Sequence, residues 1–180
     1  IPKNVEACPL ELAPTSSTTC TLALGDALAV TLLTKRGFTK SDFHALHPGG
    51  KLGQTLLSVS EIMKTSKSLP IIRVGNIVGN AILEMSSKGF GCVGIVSTDN
   101  KKLLGIITDG DLRRHMTKGL LEKKVEQIMT ANPLTLKPET LVSKALNLMN
   151  EKSITNIFVT QKNKPVGIIH MHEILRLKST

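Results

Sequence analysis

The chain has 180 residues, 41% of them hydrophobic and 21% charged, with a formal net charge of +9. That length serves one large domain or two small ones, and the composition belongs to a folded globular chain. Phe38, Phe43, Phe90 and Phe158 are the whole aromatic complement, too few for a base-stacking platform, so the positive charge reads as mostly solvated surface rather than a nucleic-acid footprint, the functional alternative being a local excess that attracts small phosphorylated ligands.

The chain opens on Ile1 and leads into a helix without a strand of its own, so it is read as part of a longer protein. The most apolar stretch, TLALGDALAVTLL at 21–33, carries Asp26 and reads as too short and too polar for a membrane span. Cys8, Cys20 and Cys92 are odd in number and form no CxxC pair, which argues against a disulfide framework and a zinc site and suits a cytoplasmic protein. A helix is predicted over 18–36, capped by Ser17 or Thr18 and stopped by Gly37. Its broad apolar face (Leu22, Leu24, Ala27, Leu28, Val30, Leu32) predicts burial against a sheet. Thr39-Lys40-Ser41-Asp42 reads as a capping box for a short second helix, which HPGGKLG at 47–53 then breaks. One further short turn of helix is expected from Lys51 to Leu57.

From Val59 the chain repeats itself. VSEIM at 59–63 matches VEQIM at 125–129, IIRV at 71–74 matches LTLK at 134–137, and AILEM at 81–85 matches ALNLM at 145–149. GCVGIV at 91–96 matches TNIFVT at 155–160, and GIITDGDLRR at 105–114 returns 62 residues later as GIIHMHEILR. Each copy reads helix, strand, helix, strand, strand, helix, with the central helices at 76–88 and 141–152. A unit of about 55 residues buries too little core alone, so the two copies are expected to pack sheet against sheet.

Five places carry possible chemistry. His47 precedes Pro48 and two glycines, in a loop that holds a side chain rigidly; it is either a loop histidine or a proton relay. Glu6 is either an exposed acid or a functional one. Thr15, Ser16 and Ser17 begin a hydroxyl-rich run at a helix N-terminus, which is both what a cap looks like and a natural anion site. Thr108 with Asp109 and Asp111 reads as a cap with acids in the first turn, or as a ligand site. His170 and His172 alternate at a strand end and would share a face, lining a ligand or simply packing, while a metal needs more ligands.

The repeated unit, with GIITDGDL closing a strand and opening a helix, resembles a CBS domain, and two in tandem resemble a Bateman module over 59–178. EACPLELAPTSSTTCTLALGDALAV at 6–30 and HPGGKLG resemble the end of a sugar isomerase (SIS) domain. The joint order, across the whole chain, resembles the arabinose-5-phosphate isomerase family. The resemblance implies an α/β (α+β) fold: the C-terminal remnant of a SIS α/β sandwich over 1–57, then β-α-β-β-α CBS units over 59–118 and 125–178. It implies isomerisation of ribulose 5-phosphate to arabinose 5-phosphate through an ene-diol, feeding Kdo and lipopolysaccharide or capsule synthesis. By resemblance, His47 and Glu6 are catalytic, and Thr15, Ser16 and Ser17 meet substrate. Glu11 departs from the small residue usual in the family.

In CBS units of this pattern the threonine faces phosphate and the aspartate takes ribose hydroxyls, which implies a nucleotide or CMP-Kdo effector at Thr108 and Asp111, with His170 and His172 as further lining. His170 and Glu173 stand where Thr108 and Asp111 stand in the first copy, so a second site of the same chemistry is not expected. No cofactor or metal is implied. The partners implied are a sugar phosphate, such an effector, and further copies of the chain, dimeric through the CBS pair and tetrameric in the full-length enzyme. The remaining catalytic residues of the family lie upstream, so this chain alone is expected to be inactive. The alternative is a non-catalytic sensing or dimerising module, or a regulator with a sugar-phosphate-binding domain.

Overall fold

The computed structural model describes residues 6–10, 12–39, 42–43, 46, 57–65, 68–99 and 101–179, in two compact units, Ile1–Pro48 and Gly49–Thr180. His47 and the rest of HPGGKLG lie outside the described residues, as does Glu11.

The first unit is dominated by α1 (Ser16–Lys35). Gly37 follows it at φ +63°, a left-handed stop that suits glycine. The expected sheet over α1 is not found among the described residues: Leu22 is 68% exposed and Val30 61%. Its apolar side chains are spread around the helix rather than gathered in a stripe, the pattern of a helix meant for cover on all sides. The helix also runs past 21–33 at both ends. At 20 residues it is long and apolar enough to cross a membrane by length and composition, which corrects the reading of that stretch as too short and too polar. Beyond it, Thr39 and Asp42 make the expected reciprocal cap, the Thr39 hydroxyl and N–H donating to the Asp42 carboxylate at 2.7 and 2.8 Å.

The second unit contains α2 (Val59–Ile62), β1 (Ile71–Arg73), α3 (Val78–Lys88), β2 (Cys92–Val96), β3 (Leu103–Thr108) and α4 (Asp109–Arg114). It continues with β4 (Thr130–Ala131), β5 (Thr135–Leu136), α5 (Val142–Glu151), β6 (Asn156–Gln161), β7 (Lys164–His170) and α6 (Met171–Ser179). Two sheets result, β1-β2-β3-β4 and β5-β6-β7, each with a parallel first pair and an antiparallel second. α3 and α5 begin later than predicted because Ile77 and Leu141 stay extended as their N-caps. VEQIM in the second copy forms a 3-10 turn where VSEIM forms a helix.

The two copies exchange their opening segments. Val59 is buried with Leu136, Met149 and Ile169 of the second copy, while Val125 and Ile128 are buried with Val78, Val93 and Ile107 of the first. Lys64 and Ile168 exchange two backbone hydrogen bonds, at 2.9 and 3.0 Å, and β4 pairs with β3. Met63 lies against Gly167 and Met129 against Gly105, so closely that a Cβ on either glycine would overlap the methionine sulfur. The two sheets meet as predicted, through Leu69, Cys92, Phe158 and Ile168. Burial, then the nearby Asp109 charge, pushes the Cys92 thiol up to about 12, so it behaves as an inert core residue.

Candidate functional site

A cavity of about 770 Å³ opens in the second unit where β3 runs into α4 and β7 into α6. Its walls come from both copies: Gly89 to Gly91 and the first turn of α4 on one side, Ser153 to Asn156 and His170 on the other, with Ile106, Pro133 and Leu134 as an apolar patch. Gly91, at φ +64°, lies so near Asp109 that a Cβ there would stand 2.9 Å from the carboxylate. Its backbone carbonyl accepts the Asp109 N–H at 3.1 Å.

Thr108 is the N-cap of α4 and closes a capping box. Its hydroxyl and N–H donate to one Asp111 oxygen at 2.6 and 2.8 Å, and the Asp111 N–H returns to the hydroxyl at 3.3 Å. The other Asp111 oxygen accepts Arg114 Nη2 at 2.6 Å and the Thr130 hydroxyl at 3.4 Å. Asp111 is 4% exposed. Burial works against its charge, but the Thr108 hydroxyl and N–H and the Arg114 guanidinium outweigh it and hold the carboxyl below its usual range. The cap reading of Thr108 is therefore realised, and in the same position both residues line the cavity. Arg113 and Arg114 add positive charge to that wall, and Arg114 is 68% exposed despite its ion pair.

His170 also lines the cavity. It ends β7, while His172 already lies in α6, so the two do not share a strand face as predicted; their rings stand 4.7 Å apart, tilted at 59°. The strand stops because the backbone turns into α6 at Met171, and the His172 N–H then donates back to His170 Nδ1 at 3.1 Å. Burial first, then His172, lowers the His170 pKa, so the ring is neutral at physiological pH with its proton on Nε2. His172 is not among the lining residues. Among the described residues no three of His, Cys, Asp or Glu gather as a metal site.

Sequence reasoning missed Asn156 and Lys64. Asn156 lines the cavity and donates to the Phe90 carbonyl at 2.6 Å, tying the two copies together. Lys64 lies 3.2 Å from Glu173. The signal for Lys64 was in the alignment: it follows Met63 as Thr130 follows Met129.

In the first unit Glu6 meets the start of α1. Its carboxylate accepts the Thr15 N–H and hydroxyl at 2.6 and 2.9 Å and the Ser17 N–H at 3.4 Å. Hydrogen bonds from Ser17 and Thr15 hold its pKa at about 2. The helix N-terminus at Thr15–Ser17 thus has its own anion. Glu6 is ionised at any physiological pH and is a weak base there.

A family model for the CBS domain matches residues 59–118 and 125–179. The chain belongs to the CBS domain family. Solved CBS proteins share the fold. One from Bacillus anthracis superposes with a TM-score of 0.64 at 23% identity, covering 72% of this chain and 98% of its own. The CBS domain pair of protein MJ0100, solved with 5-methylthioadenosine and S-adenosyl-L-methionine, gives 0.61 at 23% identity over 69% and 97%. CBSX2 solved with AMP gives 0.58 at 22% over 68% and 96%. Among curated proteins, the arabinose 5-phosphate isomerase KdsD of Pseudomonas aeruginosa is 46% identical over 95% of this chain and 53% of its own length. That of Escherichia coli K12 is 44% identical over the same shares. The chain spans about half the length of these relatives, and the match runs through both its first unit and its CBS pair.

Proposed function

We propose that the chain is the C-terminal part of an arabinose 5-phosphate isomerase, with its first unit completing a sugar-phosphate isomerase domain and its CBS pair regulating or assembling the enzyme. The observation that carries this reading is the 46% identity that extends across 95% of the chain, beyond the CBS repeats into the unit that carries the Thr15–Ser17 helix start. A free-standing sensor has no use for those residues.

The reaction moves a proton between C1 and C2 of ribulose 5-phosphate through an ene-diol, which requires a base, a proton shuttle between the oxygens and a phosphate clamp. His47 is the shuttle in this reading. Glu6 is an orienting anion rather than the base, since its pKa of about 2 keeps it charged and weakly basic. It fixes Thr15 and Ser17 at the edge of the substrate site. The upstream half of the full-length protein supplies the rest and covers the exposed apolar surface of α1, which accounts for that helix without a membrane, and the enzyme in this reading is cytoplasmic.

The CBS cleft takes a nucleotide-type effector, AMP or CMP-Kdo being the two to try. Its volume, its Arg113 and Arg114 wall and the adenosine compounds held by MJ0100 and CBSX2, a nucleotide in the second, support this. The pair dimerises, within a tetrameric enzyme. Turnover is what separates this reading from the alternative, a regulator that binds sugar phosphate without reacting it. The full-length protein should convert ribulose 5-phosphate to arabinose 5-phosphate and the 180-residue chain should not. Turnover by the short chain, or none by the full-length protein, would overturn the reading.

A further inference from the structure

The cavity has two ends built by the same repeated sequence, and they are not alike. α4 sends Asp109, Asp111, Arg113 and Arg114 into the lining, whereas among the described residues α6, its counterpart, sends nothing, and from the β7–α6 corner His170 alone reaches the cavity. Glu173 holds the place of Asp111. One of its oxygens is 3.2 Å from Lys64 Nζ, and the other is buried with no hydrogen-bond partner among the described residues. Lys64 in turn holds the place of Thr130: Lys64 bridges to Ile168 and Thr130 to Ile106, the same position in the two GII strands.

The pairings differ in what they leave free. Arg114, the partner of Asp111, is 68% exposed and itself lines the cavity, so it can turn to a phosphate and release a carboxylate oxygen for a ribose hydroxyl. Lys64 is not among the lining residues, so its bond to Glu173 offers no cation to the cavity. We propose that the CBS pair takes one nucleotide per chain, at the Thr108–Arg114 end, and that the Lys64–Glu173 ion pair, with His170, closes the pseudo-equivalent second end. The first half rests on the nucleotide-effector reading above; the closure does not.

Equilibrium dialysis of AMP, ATP and CMP against the full-length protein tests both halves, beside Lys64→Thr/His170→Thr/Glu173→Asp, which puts the residue types of Thr130, Thr108 and Asp111 at the second end. One nucleotide per chain is expected in the wild type and two in the triple variant. Two in the wild type would overturn the closure. No binding to the wild type would overturn the single-nucleotide site and the effector reading with it; one nucleotide on the triple variant would then still support the closure, and none would overturn that too. An unchanged count in a folded triple variant also overturns it. Should that variant not fold, Lys64→Thr alone, at a side chain 53% exposed, is expected to gain a second, weaker site, and an unchanged count would count against the closure.

Discussion

Asp111 does two jobs at once, and they separate by substitution. Its carboxylate closes the α4 cap and stands in the cleft wall. Asp111→Asn should cost about 1–2 kcal/mol near neutral pH, from a lost cap and charge-assisted hydrogen bonds. That lowers the melting midpoint by about 2–4 °C per kcal/mol. A depressed carboxyl pKa contributes stability that is complete above the unfolded value and is lost as pH falls through the folded one. The gap between wild type and Asn variant should therefore be full at pH 7 and close as pH falls below the ordinary range for aspartate, as melting curves across pH would show. Glu6 gives a second prediction. With its pKa at about 2, Glu6→Gln in the proposed full-length isomerase should leave in place any acidic limb of the rate profile between pH 5 and 9. Loss of that limb would make Glu6 the titrating base.

At the scale of elements, the methionine–glycine contacts explain why VxxIM and GII recur together. Gly167→Ala should destabilise by about 1–3 kcal/mol through overlap with Met63, and Gly105→Ala likewise through Met129. Met63→Ala should relieve much of the Gly167→Ala cost, so a double-mutant cycle should show a coupling of about 0.5–3 kcal/mol. Additive effects would contradict the contact. The sequence repeat made the strands and central helices legible, because period-2 and period-3.6 patterns lie in the residues themselves. It did not show that each VxxIM segment packs on the other copy, since Val59 and Val125 are equally apolar and either core accepts them. The capping box at Thr108 was readable from Thr-x-x-Asp spacing. The Glu6 contact with Thr15 and Ser17 was not, since it joins residues through a turn that no periodicity marks. Nor was the unlike fate of Glu173, which depends on a lysine 109 positions earlier.

At the scale of the whole molecule, the two units pose different demands. The CBS pair buries its own core between two sheets. α1 buries none of its residues, which fits a chain that spans about half the length of its isomerase relatives. In the proposed enzyme the CBS pair is a ligand-responsive part rather than a packing device. A thermal-shift titration of the full-length protein with AMP, ATP, CMP and CMP-Kdo, repeated on Arg113→Glu, tests it most directly. A nucleotide at a hundredfold over its dissociation constant adds about 2.7 kcal/mol, enough to raise the midpoint by several degrees. Such a shift is expected with at least one nucleotide, and its loss when Arg113 turns acidic. No shift with any of the four, or a shift untouched by Arg113→Glu, would contradict it.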